Sequence, residues 1–138
     1  MHEKTKFNEL RDLLTKKEKE LIEFEKHAPR IIEWFVNKMG NYFGCEQGSI
    51  KFSEFYRDKI YKFNITFRIP YEFENSLQNN MEIMDFEFSF YLKAPNSNVV
   101  YTDDFSEEIK INGININKDL SSLFEWIYEK IKSRIENL

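Results

Sequence analysis

Apolar residues in the first 43 positions recur in alternating steps of three and four, the spacing that places side chains on one face of an α-helix. Proline lacks a backbone N–H and is tolerated in the first turn of a helix but not deep inside one. Pro29 therefore predicts two helices, over residues 6–26 and 29–43, and the glycines that follow predict where the second one ends. The apolar stripe consists of Phe7, Leu10, Leu14, Leu21, Phe24, Ala28, Ile31, Phe35 and Tyr42.

The pattern then changes to strict alternation of apolar and polar residues, which indicates strands with one face buried and one face in water. Residues 61–73 and 84–92 form two such stretches. Side chains alternate between the two faces of a strand, so one parity fixes the orientation of all the others. We expect one buried sheet face, formed by Phe63, Ile65, Phe67, Ile69, Phe86, Phe88, Phe90 and Leu92.

The same alternation predicts how these two strands pair. We expect Phe67 to lie opposite Phe88. That register places Arg68 opposite Glu87 on the solvent face, where the two side chains would form an exposed ion pair.

Shorter segments complete the predicted fold. Residues 50–56 read as a strand, residues 99–102 and 108–111 add one or two more, and Asn112-Gly113 is a turn signal. A last helix is predicted over residues 120–136, with a capping-box pattern at Ser122. The predicted order is ααββββα, and we expect residues 1–138 to form a single α+β domain. Its architecture would be a two-layer sandwich, an antiparallel meander of about four strands covered by N-terminal helices and a C-terminal helix.

Charge is distributed unevenly along the chain. Residues 69–108 contain nine acidic residues and one base, Lys93, whereas the whole chain of 138 residues has a net charge of only −4. An acidic surface attracts basic proteins and repels nucleic acid and anionic membrane. In residues 4–26 the bases alternate with acids, the pattern of a solvated helix face. These observations favour a basic protein partner and argue against direct binding to nucleic acid or membrane.

The N-terminal sequence, the length of the apolar runs and the cysteine content indicate the cellular compartment of the protein. The N-terminus has no apolar segment of a secretory signal, and no apolar run approaches the roughly 20 residues of a spanning helix. Cys45 is the only cysteine, which excludes an internal disulfide bond. We expect a cytoplasmic protein. The abundance of Lys, Ile, Asn, Glu and Phe is typical of an AT-rich genome, bacterial or phage.

Residues that carry chemistry are scarce. His2 and His27 are the only histidines, so neither a metal site nor a nucleophile paired with a histidine base is predicted, and no cofactor is expected. One enzyme pattern is present: Asp85 on a strand, followed by Glu108 and Lys110 in an E-x-K arrangement, resembles the core of the PD-(D/E)xK nucleases. That resemblance implies a divalent ion held by the two acids. The chain departs from the family because no strand follows its last helix.

Three functional hypotheses follow. The first is a non-enzymatic binding module, similar in kind to inhibitors, immunity proteins and antitoxins, that docks a basic partner on its acidic β-region. Its predicted contact residues are Glu72, Glu74, Asp85, Glu87, Asp103, Asp104, Phe105, Glu107 and Glu108. The second is a protein that binds a small molecule in an aromatic-lined pocket between sheet and helices. The third is the nuclease.

The N-terminal stripe also predicts self-association. A helix of about 21 residues is roughly 31 Å long, as long as a small domain is wide, so part of it would extend past the protein's own core. We expect a homodimer whose interface contains Phe7, Leu10, Leu14, Leu21 and Phe24. Lys17 interrupts the stripe and predicts an offset contact rather than a continuous coiled coil. The alternative is that this helix covers its own sheet.

Overall fold

A computed structural model describes residues 5–45, 48–74, 79–102, 105–110 and 116–138. One long helix, five strands and a second helix follow one another along the chain, which confirms the predicted α+β class. The elements are α1 (Lys6–Phe43), β1 (Ile50–Arg57), β2 (Ile60–Glu74), β3 (Asn79–Lys93), β4 (Asn96–Thr102), β5 (Phe105–Lys110) and α2 (Ile116–Glu136).

The N-terminal region is one continuous helix of 38 residues, so the predicted division at Pro29 is wrong. Packing explains the continuity: Phe24 and Ala28 before the proline and Ile32 after it are all buried in the same core. Burial on both sides holds the backbone helical in spite of the missing hydrogen bond. The predicted ends are correct. Thr5 caps the first turn by accepting a hydrogen bond from the backbone N–H of Asn8, and the left-handed Gly44 follows the last turn.

The five strands form one antiparallel sheet in the order β1-β2-β3-β4-β5, a meander with one more strand than the expected number. Strands β1 and β2 are joined by Asp58 and Lys59, which both have positive φ. Two residues of positive φ suit the tight turns whose twist matches that of a β-hairpin. Strands β2 and β3 are the longest, at 15 residues each, and form the centre of the sheet.

The predicted faces of β2 and β3 are correct, but their predicted register is shifted by two residues. Phe67 lies opposite Phe86, and Phe88 lies opposite Ile65. The reason is a shorter connection than the polar segment suggested: Asn79 belongs to β3 and pairs with Glu74. The predicted pair of Arg68 with Glu87 is therefore wrong.

Aromatic residues of the sheet and both helices meet in one core. Phe35 of α1 lies at the centre, with ring centroids 5.7 Å from Phe63, 5.4 Å from Phe90 and 5.7 Å from Phe124. Edge-to-face packing of this kind adds to the energy of burial. The helices thus cover the predicted face, on which seven of the eight expected residues are buried and Ile69 is half-buried.

Helix α2 begins at Ile116, four residues before the predicted start. Ser122 lies inside this helix and does not cap it. The predicted Asn112-Gly113 turn lies outside the described residues. Two hydroxyls fix the position of the helical layer: Tyr42 of α1 donates to Glu125 of α2 at 2.6 Å, and Tyr56 of β1 donates to Glu25 of α1 at 2.9 Å.

Candidate functional site

The sheet has one covered face and one open face. Cross-strand partners share a face, so Lys51, Thr66 and Glu87 lie in one row on the side opposite the core. Along β1, β2 and β3 none of the described residues of this parity is buried. We call this side the open face, and it is a large uncovered surface of the described protein.

Strands β2 and β3 extend beyond the helical layer, and we call residues 70–74 and 79–83 the hairpin end. Its described side chains are exposed on both faces of the sheet: Pro70, Glu72, Met81 and Ile83 on the open face, Tyr71 and Glu82 on the other. Met81 is 65% exposed and Ile83 55%. The hairpin end therefore combines exposed apolar side chains with carboxylates.

The predicted acidic residues of β2 and β3 are brought together by the fold. Glu72, Asp85 and Glu87 lie on the open face within and next to the hairpin end, and all three are exposed. Arg68 lies opposite Asp85 and forms an ion pair with it, at 3.3 Å between Nε and Oδ1. Between Arg68 and Lys93 the sequence contains five acidic residues and no base. This part of the sheet is accordingly negative.

The open face as a whole is not uniformly acidic. Folding brings Lys51 and Arg57 of β1, Lys62 of β2 and Lys93 of β3 to the same side as the acids. Arg57, Lys62 and Lys93 lie toward the opposite end of the sheet, near the β1–β2 turn, whereas Lys51 lies in the same row as Glu87. Five of the nine acidic residues counted over residues 69–108 thus lie on β2 and β3 at or next to the hairpin end, and three of the four bases lie at the other end of the open face.

The other predicted contact residues lie in parts of the chain about which less is described. Asp103 and Asp104 lie outside the described residues. Glu74 lies in β2 and Phe105, Glu107 and Glu108 lie in β5, where the structure describes the backbone path but not the side chains.

A second group on the open face was not predicted from the sequence. Tyr91 of β3 lies opposite Tyr101 of β4, and their rings stack with centroids 5.4 Å apart. Lys93 Nζ lies 4.7 Å from the centre of the Tyr101 ring, within range of a cation–π contact. The alternation of β3 places Tyr91 on the solvent face, but its partner cannot be predicted, because the β3–β4 register cannot be read from a strand as short as β4.

The predicted dimerisation residues fall into two groups. Phe24 is only 2% exposed and packs against Tyr56 and Tyr61 in the protein's own core. Leu21 is half-buried at the edge of that core, whereas Phe7, Leu10 and Leu14 are largely exposed. Leu13 and Ile22, which the predicted stripe does not include, are also exposed and lie beside it.

The space between sheet and helices is filled by side chains. Phe35, Phe63 and Phe90 occupy its centre with no exposed surface. Among the described residues no buried side-chain nitrogen or oxygen lacks a hydrogen-bond partner. A ligand pocket would need polar groups that converge on an opening. A cleft of about 300 Å³ exists elsewhere, at the protein surface between α1 and the β3–β4 connection, and is lined by Glu20, Glu23, Phe24, His27, Pro95 and Ser97.

Two tyrosines whose hydroxyl groups donate hydrogen bonds to glutamates of the helices have raised pKa values. Burial and the hydrogen bond to Glu25 raise the pKa of Tyr56 to about 12. The hydrogen bond to Glu125 raises the pKa of Tyr42. Both shifts arise from packing and hydrogen bonds at the surface of the core.

Two further kinds of site can be compared with the described residues, a metal site and the nuclease-like pattern. No group of three or more His, Cys, Asp or Glu residues there could hold a metal ion. The nuclease-like Asp85 lies on β3, and Glu108 and Lys110 lie on β5 with β4 between them. Asp85 is engaged with Arg68 on the exposed face.

Comparisons with known proteins give no assignment: no protein-family model, curated protein or solved structure matches this chain. Within the described residues, neither helix combines the length and the apolar composition that crossing a bilayer requires.

Proposed function

We propose that this protein is a non-enzymatic binding module, inhibitor-like in action, that docks a basic protein partner on its hairpin end. The observation that carries the proposal is the exposure of Met81 and Ile83 beside Glu72 on strands that extend past the helices. Protein interfaces combine desolvated anchors at the centre with a polar rim. The hairpin end has both components on one surface.

Charge gives the class of partner. The carboxylates of Glu72, Glu82, Asp85 and Glu87 are exposed at or next to the hairpin end. Complementary charge accelerates association and suppresses wrong partners more than it adds affinity. A partner with a basic rim around an apolar cavity fits this surface, with Met81 or Ile83 as the inserted group.

The filled core supports binding at a surface rather than in an enclosed pocket. A small-molecule site between sheet and helices would displace Phe35, Phe63 or Phe90, whose rings pack against one another. Close-packed interiors leave no room for a ligand without rearrangement.

Affinity capture with matched variants tests the proposal. The bait protein is immobilised as wild type, as Glu72→Lys/Glu87→Lys, and as Met81→Ser/Ile83→Ser, and captured proteins are quantified by mass spectrometry. Glu33→Lys/Glu129→Lys changes the charge equally on exposed helical positions and is the control. We expect a basic protein to be retained by wild type and control and lost by both hairpin-end variants. Equal capture by all four proteins would refute the site.

We further infer that the molecule acts as a homodimer. Phe7, Leu10 and Leu14 lie on α1 outside the core, although they belong to the regular apolar stripe of the helix. A monomer leaves this stripe in water. The open face and hairpin end are formed by other elements and stay accessible when α1 pairs, so a dimer would present two binding surfaces.

A further inference from the structure

The cap and first part of α1, residues 5–19, extend away from the core, and only toward their end do Leu14 and Lys17 line a surface cleft with Lys59 and Pro95. Every residue in this part is exposed except Asn8, which is half-buried, and burial begins only at Glu20 and Leu21. Its fourteen helical residues, 6–19, span about 21 Å. We call this part of α1 the projecting segment.

The projecting segment has an apolar side. Phe7, Leu10, Leu13 and Leu14 are between 56% and 73% exposed. They lie on one side of the helix, because residues three, four and seven apart are neighbours on its surface. A helix of this length is only marginally stable in water by itself. The segment therefore gains stability from any partner that covers these four residues.

We infer that the projecting segment pairs with the same segment of a second copy, and that the two helices run antiparallel. This inference rests on the proposed homodimer and specifies its geometry. The two projecting segments contact each other along their whole exposed length when residue 5 of one copy lies beside residue 19 of the other. Leu10 of each copy then packs on Leu14 of the second copy, and Leu13 packs on Leu13 near the two-fold axis.

The same alignment accommodates Lys17, whose Nζ lies 3.7 Å from Oε2 of Glu20 in its own helix. Lys17 interrupts the apolar stripe at the position where a continuous coiled coil would have an apolar residue. In the antiparallel pair it lies opposite Phe7 of the second copy. The lysine stem can cover the ring while its ammonium group reaches water.

Charge at the edges of the helix pair selects the antiparallel direction. Positions beside the apolar seam set partner orientation in paired helices. The antiparallel alignment places Lys6 beside Glu20 of the second copy, twice, and places Arg11 beside Arg11 at the axis. A parallel pair in register would instead place Lys6 beside Arg11 at one end, and Glu20 beside Glu25 at the other. It would also place Lys17 on Lys17 inside the seam.

The position of the folded body agrees with this direction. The sheet and α2 pack on α1 after the projecting segment, so an antiparallel pair carries the two bodies at opposite ends. A parallel pair would bring both bodies to the same end, where they compete for space beside the helices.

Self-association is tested first. Light scattering and sedimentation of the full chain at tens of micromolar should give twice the 16.8 kDa mass of the chain. Leu10→Ser/Leu14→Ser should raise the dissociation constant at least about a hundredfold, because four leucines leave the seam. Ile22→Ser, exposed but outside the projecting segment, is the matched control and should change it little. A wild-type monomer at this concentration would overturn both the homodimer and the pairing.

Direction is tested by a charge-reversal cycle. In the antiparallel pair Lys6→Glu and Glu20→Lys each create like-charge contacts and should raise the dissociation constant about threefold to tenfold, and the double variant should restore it. In a parallel pair each single variant would instead lower it, by pairing with Arg11 or Glu25. Lys19→Glu, on the far side of the helix, is the control for charge. A dimer that either single variant tightens or leaves unchanged would overturn the antiparallel inference while self-association stands.

Discussion

At the scale of single residues, the core depends on large aromatic side chains that are each in contact with several others. Phe88 is buried on the covered face and packs against Phe67, Trp126 and the guanidinium of Arg134. A phenylalanine in this position fills space that no neighbour can occupy without moving. Tyr91, three residues along β3, stacks on Tyr101 of the open face and keeps part of its ring in water.

This difference predicts unequal costs of truncation. Phe88→Ala should lower the free energy of unfolding by about 3–5 kcal/mol through lost burial and a residual cavity. Tyr91→Ala should lower it by roughly 1 kcal/mol, because the open face can rearrange into solvent. Urea denaturation of the two variants and the wild type measures both values. Equal losses would show that the covered face of β3 is assigned to the wrong parity.

Tyr56 predicts a loss of stability at alkaline pH. Its pKa is about 12 in the folded protein, above the value near 10 of an unfolded chain. The folded state therefore keeps the Tyr56 proton after the unfolded state has lost it. The stability from this proton is complete below pH 10 and is lost as the pH rises toward 12.

Removal of the hydroxyl isolates this effect. Tyr56→Phe should be less stable than wild type at pH 8 by about 1 kcal/mol, since the hydrogen bond to Glu25 is gone. Between pH 10 and 12 the difference in the free energy of unfolding between the two proteins should become smaller. Urea denaturation at pH 8, 10 and 11 measures it, with Tyr71→Phe, an exposed tyrosine of the hairpin end, as control. A gap that is constant or widens with pH would contradict the raised pKa.

At the scale of elements, α1 is continuous where its sequence predicts a break. Pro29 cannot donate the hydrogen bond that a helix interior expects, and its ring crowds the preceding turn. Buried side chains nevertheless continue across the proline, from Ala28 to Ile32. Tertiary packing has thus overridden a local preference.

Keeping Pro29 inside the helix should lower the stability of the protein by a measurable amount. Pro29→Ala should raise the free energy of unfolding by about 1–3 kcal/mol, because alanine restores the backbone donor and has a far better helix propensity. Thermal and urea denaturation measure the gain, and Asn37→Ala, at an exposed position of the same helix, is the control for helix propensity. A destabilised Pro29→Ala variant would show that the proline ring contributes packing that outweighs the lost hydrogen bond.

The strands show which parts of the fold can be read from the sequence. The faces of β2 and β3 could be predicted because a strand buried on one side must alternate. The ends of these two strands could not be predicted. Met81 and Ile83 are apolar at positions of solvent parity, so the alternation fails there and predicts a strand that begins only at Met84. The register shift has the same cause, since it depends on where the hairpin turns.

At the scale of the whole molecule, folding separates charge and apolar exposure into distinct surfaces. The hairpin end carries carboxylates, the opposite end of the open face carries bases, and the projecting segment of α1 carries leucines. The sequence indicated acidic binding residues and a dimerising helix. It could not show that Lys51 and Lys62 share the open face with Glu87, because that depends on strand pairing.

Binding of a basic partner at the hairpin end can be measured as the affinity of a purified complex. The partner recovered by capture is titrated at 50 and 150 mM salt with wild type, Glu72→Lys/Glu87→Lys and the control Glu33→Lys/Glu129→Lys. The quadruple reversal of Asp103, Asp104, Glu107 and Glu108 forms a separate arm, which tests the other predicted acidic segment. Circular dichroism confirms that each variant is folded.

We expect Glu72→Lys/Glu87→Lys to weaken binding by about tenfold or more at 50 mM salt and by less at 150 mM, because exposed charges are screened by salt. The control should bind within about twofold of wild type, as expected for charges outside the interface. Wild-type affinity of Glu72→Lys/Glu87→Lys at both salt concentrations would contradict the claim.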